Sequence, residues 1–547
     1  MEIDLMKCIL IGLWAAFCMT GMLTGTYLTR CLVMSAGVGV ILGDINTGLI
    51  MGAVGELAFL GFGVSSGGTV PPNPAGPGIV GTVLAITMKQ SGMDTEAALA
   101  YSFPFALLIQ FLITGIFTIS SGLAEKARKA VIGGRFISYR FLANGTMLMF
   151  AAAGFGMGFA AASQAQRLGR LLSLIPEGIT GGLSIGGKML PAVGFAVILS
   201  AMCGWDTGPF VMLGYVAAAY IDMPVLGIAL LAAALAWATL NRREGEKETA
   251  EKNIRGTEVF AIQEDGEKAE KESITQTKPT GVRQMSWKRL RQLSRSTAMR
   301  AYFLQNGYNY GNYEGLSYSF VVFPALKKLF PKEEDLKREI ADSMSFCSVN
   351  PNFLPILTSF HLITLNRGMY TRESRDLRTA MMGPLAGIGD SLIQFCIAPV
   401  MSTIGAGLAQ KSSMAGPVIF LLGMNGILLG LKLANEALGF RLGRALARKM
   451  EKKAQLLSHG ARMVGCSVVA GLCVTGVEMR AAITFEREGE MLFSLQNFLD
   501  TLMPGILPAM YTGTLFYLMK RKKWSMNRLV ALTLSLGILF HLLGVLE

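Results

Sequence analysis

Charged side chains are scarce in this sequence. Asp, Glu, Lys and Arg together make up 16% of its 547 residues, compared with ~25% in soluble domains. Apolar residues make up 52%, and apolar windows of about 20 residues recur, for example at 102–121 and 415–434. A helix of that length spans a bilayer, so the composition excludes an ordinary soluble protein and predicts an all-α, polytopic membrane protein.

Histidines and paired cysteines are also scarce. The three histidines, His361, His459 and His541, do not have the spacing of a metal cluster. None of the eight cysteines belongs to a CxxC pair, and most lie in apolar runs, so we interpret them as small buried side chains. We therefore predict no metal and no other cofactor.

A cleavable signal peptide is not evident. The first twenty residues are apolar but have neither a basic start nor a clear cleavage site, so we predict a retained membrane segment. The net charge is +13, with basic clusters near residues 126–140, 242–300 and 520–523. In a membrane protein such clusters mark cytoplasmic loops, an interpretation that we prefer to a nucleic-acid or lipid-specific role.

The sequence divides into two membrane halves joined by a charged linker. We predict a membrane domain at 1–240, a flexible cytoplasmic linker at 241–297 that is too polar to bury a core, and a second domain at 298–547. The basic stretch that begins at Trp287 has the pattern of an amphipathic helix, which we expect to lie on the inner leaflet or, alternatively, to face solvent.

The second domain begins with a moderately apolar, charged stretch, 298–380, which we expect at the cytoplasmic face. Its basic cluster at 520–523 precedes the last apolar segment, which predicts that the C-terminus lies outside. The predicted membrane segments of this domain are 381–411, 415–437, 460–478, 498–519 and 526–545.

Helix-breaking residues cluster inside apolar regions at two places. GGTVPPNPAGPG occupies residues 67–78, and MMGPLAGIGDSL occupies residues 381–392. Irregular backbone survives at membrane depth only where protein buries it or where it lines a polar cavity. Both stretches therefore predict re-entrant hairpins or discontinuous helices beside a binding site, with an extramembrane turn as the alternative for 67–78.

Three acidic residues lie in apolar surroundings. These are Asp44, Glu56 and Glu177, and Lys188 follows the last of them by eleven residues. Ionisable groups at membrane depth face a pathway, a partner or a ligand, and carboxylates can bind sugar hydroxyls. A proton pathway uses the same residue types, and a structural pair between Glu177 and Lys188 is equally compatible with the pattern.

Several stretches, in order, resemble the mannose family of the bacterial sugar phosphotransferase system. The first half is similar to its IIC component, and the second half to its IID component, so the chain looks like a natural fusion of the two. In the first half the similar stretches are RCLVMSAGVGVILGDINTGLIMGAVGELAFLGFGVSSGGTVPPNP and IPEGITGGLSIGGKMLPAVGFAVILSAM; in the second they are FLQNGYNYGNYEGLSYSFVVFPALKKLF, SVNPN and MMGPLAGIGDSL.

The resemblance implies a function and a set of partners. It implies a translocating subunit in the bacterial inner membrane that carries a hexose or amino sugar by an elevator movement, together with phosphorylated IIB and IIA proteins and as a trimer. The phosphocarrier residues belong to the partners, and this chain shows no histidine in a soluble carrier-like domain and no Walker-type phosphate loop. We expect His361 to be a buried, hydrogen-bonded histidine.

The resemblance also implies substrate-binding residues. From the first half we choose Glu56 and Asn73, with Asp44 and Glu177 as second choices, and from the second half Asn309, Asn350 and Asp390. Asn309 is aligned with an Asn-Tyr-Glu motif, which places Gly311 where the family has Glu. The other departures from the family pattern are Lys188, Ser348, Val349, Leu365, Asn366 and Gln394.

These departures leave the mode of transport open. A sugar permease coupled to phosphorylation is our leading hypothesis, and a phosphorylation-independent sugar facilitator that keeps the fold is the alternative. A receptor role for a bacteriocin or phage can coexist with either.

Overall fold

The computed structural model describes residues 3–60, 72–172, 176–240, 282–368, 371–442, 450–487 and 490–546. In these ranges the chain is almost entirely helical. The helices of the first half are α1 (Leu5–Thr24), α2 (Cys31–Leu42), α3 (Ile45–Ala58), α4 (Thr82–Thr87), α5 (Thr95–Ile132), α6 (Phe136–Ala143), α7 (Gly145–Ser163), α8 (Ala165–Leu172), α9 (Glu177–Met202), α10 (Gly208–Ala219) and α11 (Val225–Leu240).

The second half continues the helical pattern and adds one small hairpin, β1 (Thr484–Arg487) and β2 (Glu490–Ser494), which pair antiparallel. Its helices are α12 (Trp287–Met299), α13 (Gly315–Leu329), α14 (Glu333–Ser343), α15 (Leu354–Asn366), α16 (Thr371–Leu392), α17 (Ala398–Gln410), α18 (Ala415–Leu442), α19 (Met450–Thr475), α20 (Leu495–Leu502), α21 (Ile506–Lys520) and α22 (Met526–Leu542).

Six helical segments of the described residues are long and apolar enough to cross a membrane, or seven if α20 and α21, which bend by 77°, form one broken span. This confirms the prediction of an all-α, polytopic membrane protein. The six are Leu5–Thr24, Thr95–Ile132, Gly145–Ser163, Gly181–Ser200, Ile388–Gln410 and Ala415–Arg441.

The first predicted break is only partly described, since residues 61–71 lie outside the described ranges. Residues 72–74 are non-helical, and a π-helical turn at Gly76–Gly81 leads into α4. This part of the chain is buried in protein: Asn73 is 3% exposed, and its backbone N–H donates to the Ala106 carbonyl of α5 at 3.0 Å.

The second predicted break is wrong. Residues 381–392 are helical, and a π-helical turn at Ile393–Ile397 joins α16 to α17. Gly389 has a packing role instead: a Cβ on it would lie 2.2 Å from the Cβ of Asn350. The absence of a side chain lets α16 approach this residue closely, so the local glycine signal marks a helix contact and not a hairpin.

Helix α12 also differs from the expectation of a helix resting on the inner leaflet. Its buried side chains, among them Leu290 and Leu293, pack against α15 and α18. Arg295 reaches Glu436 of α18 at 3.7 Å. The apolar face of the helix is covered by protein, so it is not available to lipid.

The two halves share one core. Helix α9 packs against α5 of its own half and against α19, α21 and α22 of the second half. Phe195 and Val197 of α9 belong to the same apolar cluster as Val468 and Leu529. Because close van der Waals packing holds membrane helices together, the halves form one folded unit.

Candidate functional site

A polar cavity of about 450 Å³ lies between the two halves of the chain. The first half contributes Asn73, which is flanked by two prolines, together with Arg30. The second half contributes residues from the loop before α13, the loop before α15, helix α16 with the π-helical turn after it, and helix α18. They include Gln305, Glu314, Ser348, Asn350, Asn352, Asp390, Gln394 and Lys432.

Asn350 and Asp390 form the centre of the cavity wall. The Asn350 side-chain amide donates to the Asp390 carboxylate at 3.0 Å. The Asn350 side-chain oxygen accepts from the Asn352 backbone N–H at 3.0 Å, which fixes the amide orientation. Asp390 is exposed within the cavity, so its carboxylate is held in place from one side and available as an acceptor.

Lys432 brings a cation from the middle of α18 to the same wall. Its ammonium donates to the Asn352 side-chain oxygen at 2.5 Å and lies 3.9 Å from the centre of the Tyr302 ring. The side chain is 1% exposed, and Asn435 on the next turn donates to the Asn352 carbonyl at 2.8 Å. An amide oxygen and an aromatic face offset part of the cost of burying this charge.

Arg30 and Glu56 form a buried ion pair behind the cavity. The Arg30 guanidinium donates to Glu56 at 2.7 Å through its Nε, and the Ser402 hydroxyl donates to the same carboxylate at 2.5 Å. Glu56 is 1% exposed and does not line the cavity, whereas Arg30 does. Because Ser402 belongs to α17, this network also ties the two halves together.

Glu314 lies at the end of the loop before α13. Its carboxyl accepts from the Val349 backbone N–H at 2.9 Å, and the Gln305 amide lies 3.5 Å away. Burial raises the pKa of this carboxyl to about 8, above its ordinary value of 4.5. At neutral pH the group is therefore largely protonated and can both donate and accept a hydrogen bond.

Asn73 is held by its own backbone. Its side-chain oxygen accepts from the Ala75 N–H at 2.9 Å, an arrangement typical of a turn-forming Asn. The prolines on either side restrict the chain further, so the segment presents Asn73 to the cavity without needing a regular helix.

The remaining predicted residues lie elsewhere. Asp44 caps α3 by accepting from Thr47, and pairs with Lys89 at 2.8 Å. Asn309 is buried, with its side chain bonded to the backbone of Gly307 and Gly311, so it shapes the loop before α13. The side chain of Glu177 lies outside the described residues, as does any pairing with Lys188.

Glu314 was missed from the sequence because the first copy of a repeated pattern was matched and the second was not considered. Asn-Tyr occurs twice, at 309–310 and again at 312–313, and Glu314 follows the second copy. A match to the second copy would place Glu314 at the Glu of the motif, and Glu314 lines the cavity. Arg30 and Lys432 were also missed, although each is a lone cation in an apolar run and therefore carried a detectable signal.

His361 is buried and hydrogen-bonded, as predicted. Its Nδ1 lies 2.8 Å from the Tyr318 hydroxyl, and its Nε2 lies 3.2 Å from the Glu339 carboxylate. All three side chains are inside the packed helices α13, α14 and α15 and do not line the cavity.

Comparison with known families divides the chain into two matches. Residues 5–238 match the family described as the sorbose-specific IIC component of the phosphotransferase system. Residues 290–546 match the family described as the mannose/fructose/sorbose family IID component.

Individual relatives give the same division. The chain is 34% identical to an N-acetylgalactosamine permease IIC component of Escherichia coli over 216 residues, which is 39% of this chain and 79% of the relative. It is 29% identical to a sorbose-specific IID component of Lacticaseibacillus casei over 257 residues, 45% of this chain and 90% of the relative. A solved membrane protein overlaps 47% of this chain and 98% of its own, with 23% identity and a TM-score of 0.44.

Proposed function

Since the chain belongs to the mannose/fructose/sorbose family of the phosphotransferase system and joins a IIC component to a IID component, we propose that it binds a hexose or amino sugar and carries it across the bacterial cytoplasmic membrane. In this proposal the sugar occupies the polar cavity between the two halves. Transport proceeds by an elevator movement of the unit that holds the cavity.

The composition of the cavity wall is the observation that carries the proposal. A volume of about 450 Å³ falls within the range of small-molecule sites. A sugar hydroxyl both donates and accepts, and the wall offers a carboxylate acceptor at Asp390, amides at Asn73 and Asn350, and a protonated carboxyl at Glu314. These groups come from both halves, so neither half makes the site alone.

We propose Asn73, Asn350 and Asp390 as direct sugar ligands, and we add Glu314. Arg30 and Lys432 also line this cavity and supply donors to it. Glu56 acts through Arg30 as a positioning residue, because the pair fixes the guanidinium at the cavity. Asp44 and Asn309 keep structural roles in this proposal.

The phosphoryl group comes from a partner in this proposal. A phosphorylated IIB protein, itself loaded by IIA, transfers it to the sugar at the cytoplasmic face, and the charged segment before α12 lies on that side as a linker between the two halves. We propose a trimer of such chains in the inner membrane.

Uptake of labelled hexoses and amino sugars, in cells with and without the IIB partner, tests the proposal. We expect accumulation of sugar phosphate that requires both IIB and phosphoenolpyruvate. Accumulation of free sugar without IIB contradicts the coupling and favours the phosphorylation-independent facilitator. Substitution Asp390→Asn keeps the shape of the site, so sugar binding that is unchanged in this variant contradicts the placement of the site.

A further inference from the structure

A second recess in the molecule is apolar and faces outward. It is a groove of about 580 Å³ between α10, α19 and α21. Met212 of α10 and Met510 of α21 are 71% and 63% exposed on its walls. Its floor includes Ala470 and Cys473 of α19. The sugar proposal does not use this groove.

The groove has the length of one leaflet of a bilayer. It follows α21 from Ile506 to Phe516, a rise of about 15 Å along the helix axis. The hydrocarbon core of a bilayer is about 30 Å thick, so half of that depth equals the length of the groove. An acyl chain from one leaflet therefore matches its length.

A cation stands at one end of the groove. Lys520, on the last turn of α21, lies 5.2 Å from the centre of the Phe516 ring and donates to the Cys203 carbonyl, and both of those residues line the groove. An ammonium has three donors, so this bond leaves Lys520 able to contact a further acceptor. Lys520 also begins the basic cluster 520–523, which is typical of the cytoplasmic side.

The opposite end of the groove has no cation among the described residues that line it, and the Asp500 carboxylate lies near Tyr215 there. There the Tyr215 hydroxyl donates to the Pro504 carbonyl at 2.9 Å, which closes the space between α10 and α21. Met503 and Tyr220 line this end. Lys520 is therefore the cation at the end predicted to be cytoplasmic, near Asp206, which pairs with His459 at 3.2 Å, and the groove walls beyond it are apolar.

We infer that this groove binds one acyl chain of an anionic phospholipid from the cytoplasmic leaflet, with the phosphate of the headgroup beside Lys520. The apolar walls receive the chain, and Lys520 selects an anionic headgroup over a zwitterionic one. The groove is separate from the sugar cavity, so the test of lipid binding does not depend on the proposed transport function.

A substitution at Gly513 can fill the groove with a protein side chain. Gly513 lines the groove, and a Cβ at this position meets no atom within 4 Å, so a larger residue there occupies the space of the acyl chain without clashing with protein. Gly430 of α18 is equally open but does not line the groove, so Gly430→Leu is the matched control for Gly513→Leu. Lys411, exposed after α17, is the matched control for Lys520.

The experiment titrates delipidated full-length protein with phosphatidylglycerol and with phosphatidylcholine of the same chains, and counts bound lipids by native mass spectrometry. We expect phosphatidylglycerol to bind tighter. Gly513→Leu should weaken that binding at least about tenfold, because each methylene kept out of the groove costs about fourfold in affinity. Lys520→Gln should remove the preference between the two lipids, and Gly430→Leu and Lys411→Gln should change neither quantity.

Three outcomes overturn the inference. Equal binding of the two lipids by the wild type excludes an anionic-lipid site. Unchanged phosphatidylglycerol binding in Gly513→Leu excludes this groove as the site. A changed oligomeric state in Gly513→Leu, with lipid binding unaffected, assigns the groove to a second copy of the chain. Val216→Phe fills the groove from α10 and serves if Gly513→Leu does not fold.

Discussion

Glu56 provides a test at the scale of single residues. Its carboxylate is buried with Arg30, and removing one member of a buried ion pair leaves the other charge uncompensated. We expect Glu56→Ala to lower the free energy of unfolding by about 3–5 kcal/mol as well as impairing sugar binding. Thermal unfolding of the purified protein, followed by intrinsic fluorescence, measures the effect.

Glu333 provides the control for this prediction. It pairs with Lys337 on the exposed surface of α14, where an ion pair contributes at most about 1 kcal/mol. Glu333→Ala should leave the unfolding midpoint nearly unchanged. A midpoint for Glu56→Ala that matches this control means that the pair with Arg30 does not hold the fold.

Glu314 predicts how stability depends on pH. Burial raises its pKa to about 8, so between 4.5 and about 8 the folded protein keeps a proton that the unfolded chain has released. The contribution of Glu314 to the free energy of unfolding is fully present below pH 4.5, and it is lost as the pH rises through about 8. Glu314→Gln, which cannot ionise, should lose less stability than the wild type between about pH 6 and about pH 9.

Unfolding midpoints of both proteins across this interval give the comparison. The unfolding midpoint of the wild type should fall more steeply with pH than the midpoint of Glu314→Gln. Parallel curves for the two proteins mean that Glu314 does not hold its proton in the folded state.

At the scale of elements, the contact between α16 and the loop before α15 determines the shape of the cavity. A Cβ on Gly389 would overlap Asn350, whose amide holds Asp390. We expect Gly389→Ala to cost about 1–3 kcal/mol in stability and to abolish sugar uptake, because Asn350 has to move. Uptake of labelled sugar and the unfolding midpoint are both measured.

Gly407 is the matched control, since it lies in α17 of the same membrane span and a Cβ there meets no atom within 4 Å. Gly407→Ala should retain uptake and stability. Normal uptake by Gly389→Ala shows that the close approach of α16 is not needed for the site.

The sequence predicted the helices better than their contacts. Apolar runs identify membrane helices because lipid leaves the backbone few alternatives, and this signal is local. The meaning of Gly389 is not local: a glycine that breaks a helix and one that admits a neighbour look alike until Asn350 is placed beside it. The same limit applies to α12, since its pattern shows an apolar face but not whether lipid or α18 covers it.

The sequence indicates the position of some polar residues but not their partners, for a related reason. Asn73, Asn350 and Asp390 stand beside glycines or prolines, where an irregular polar position is conspicuous. Glu56 has an equally strong signal, but burial of a carboxylate does not show whether its partner is Arg30 or a ligand. Only the fold supplies the guanidinium that Glu56 binds.

At the scale of the whole molecule, the shared core predicts that the halves stay together without the linker. We expect protein cut within 241–281 to remain associated and to retain uptake, because α9 is packed against α19, α21 and α22. A protease site in this segment and a tag on one half allow co-purification of the other half to be measured.

The control disrupts the packing of α9 against α22. A Cβ on Gly182 would lie 2.4 Å from the Cα of Ile538, so Gly182→Leu should separate the halves of the cut protein. Separation of the cut protein without this substitution shows that the linker, and not the core, holds the two halves together.

The same glycine contact has a consequence for inheritance. Gly182 of α9 and Gly537 of α22 lie so close to the facing helix that neither accepts an added methyl group. Recombination at the linker would bring in a new α9 without the α22 that fits it, or the reverse. A larger residue on one of these helices therefore requires a compensating change on the other. A single reading frame keeps both faces on one allele, and every ribosome that completes the chain supplies them in equal number.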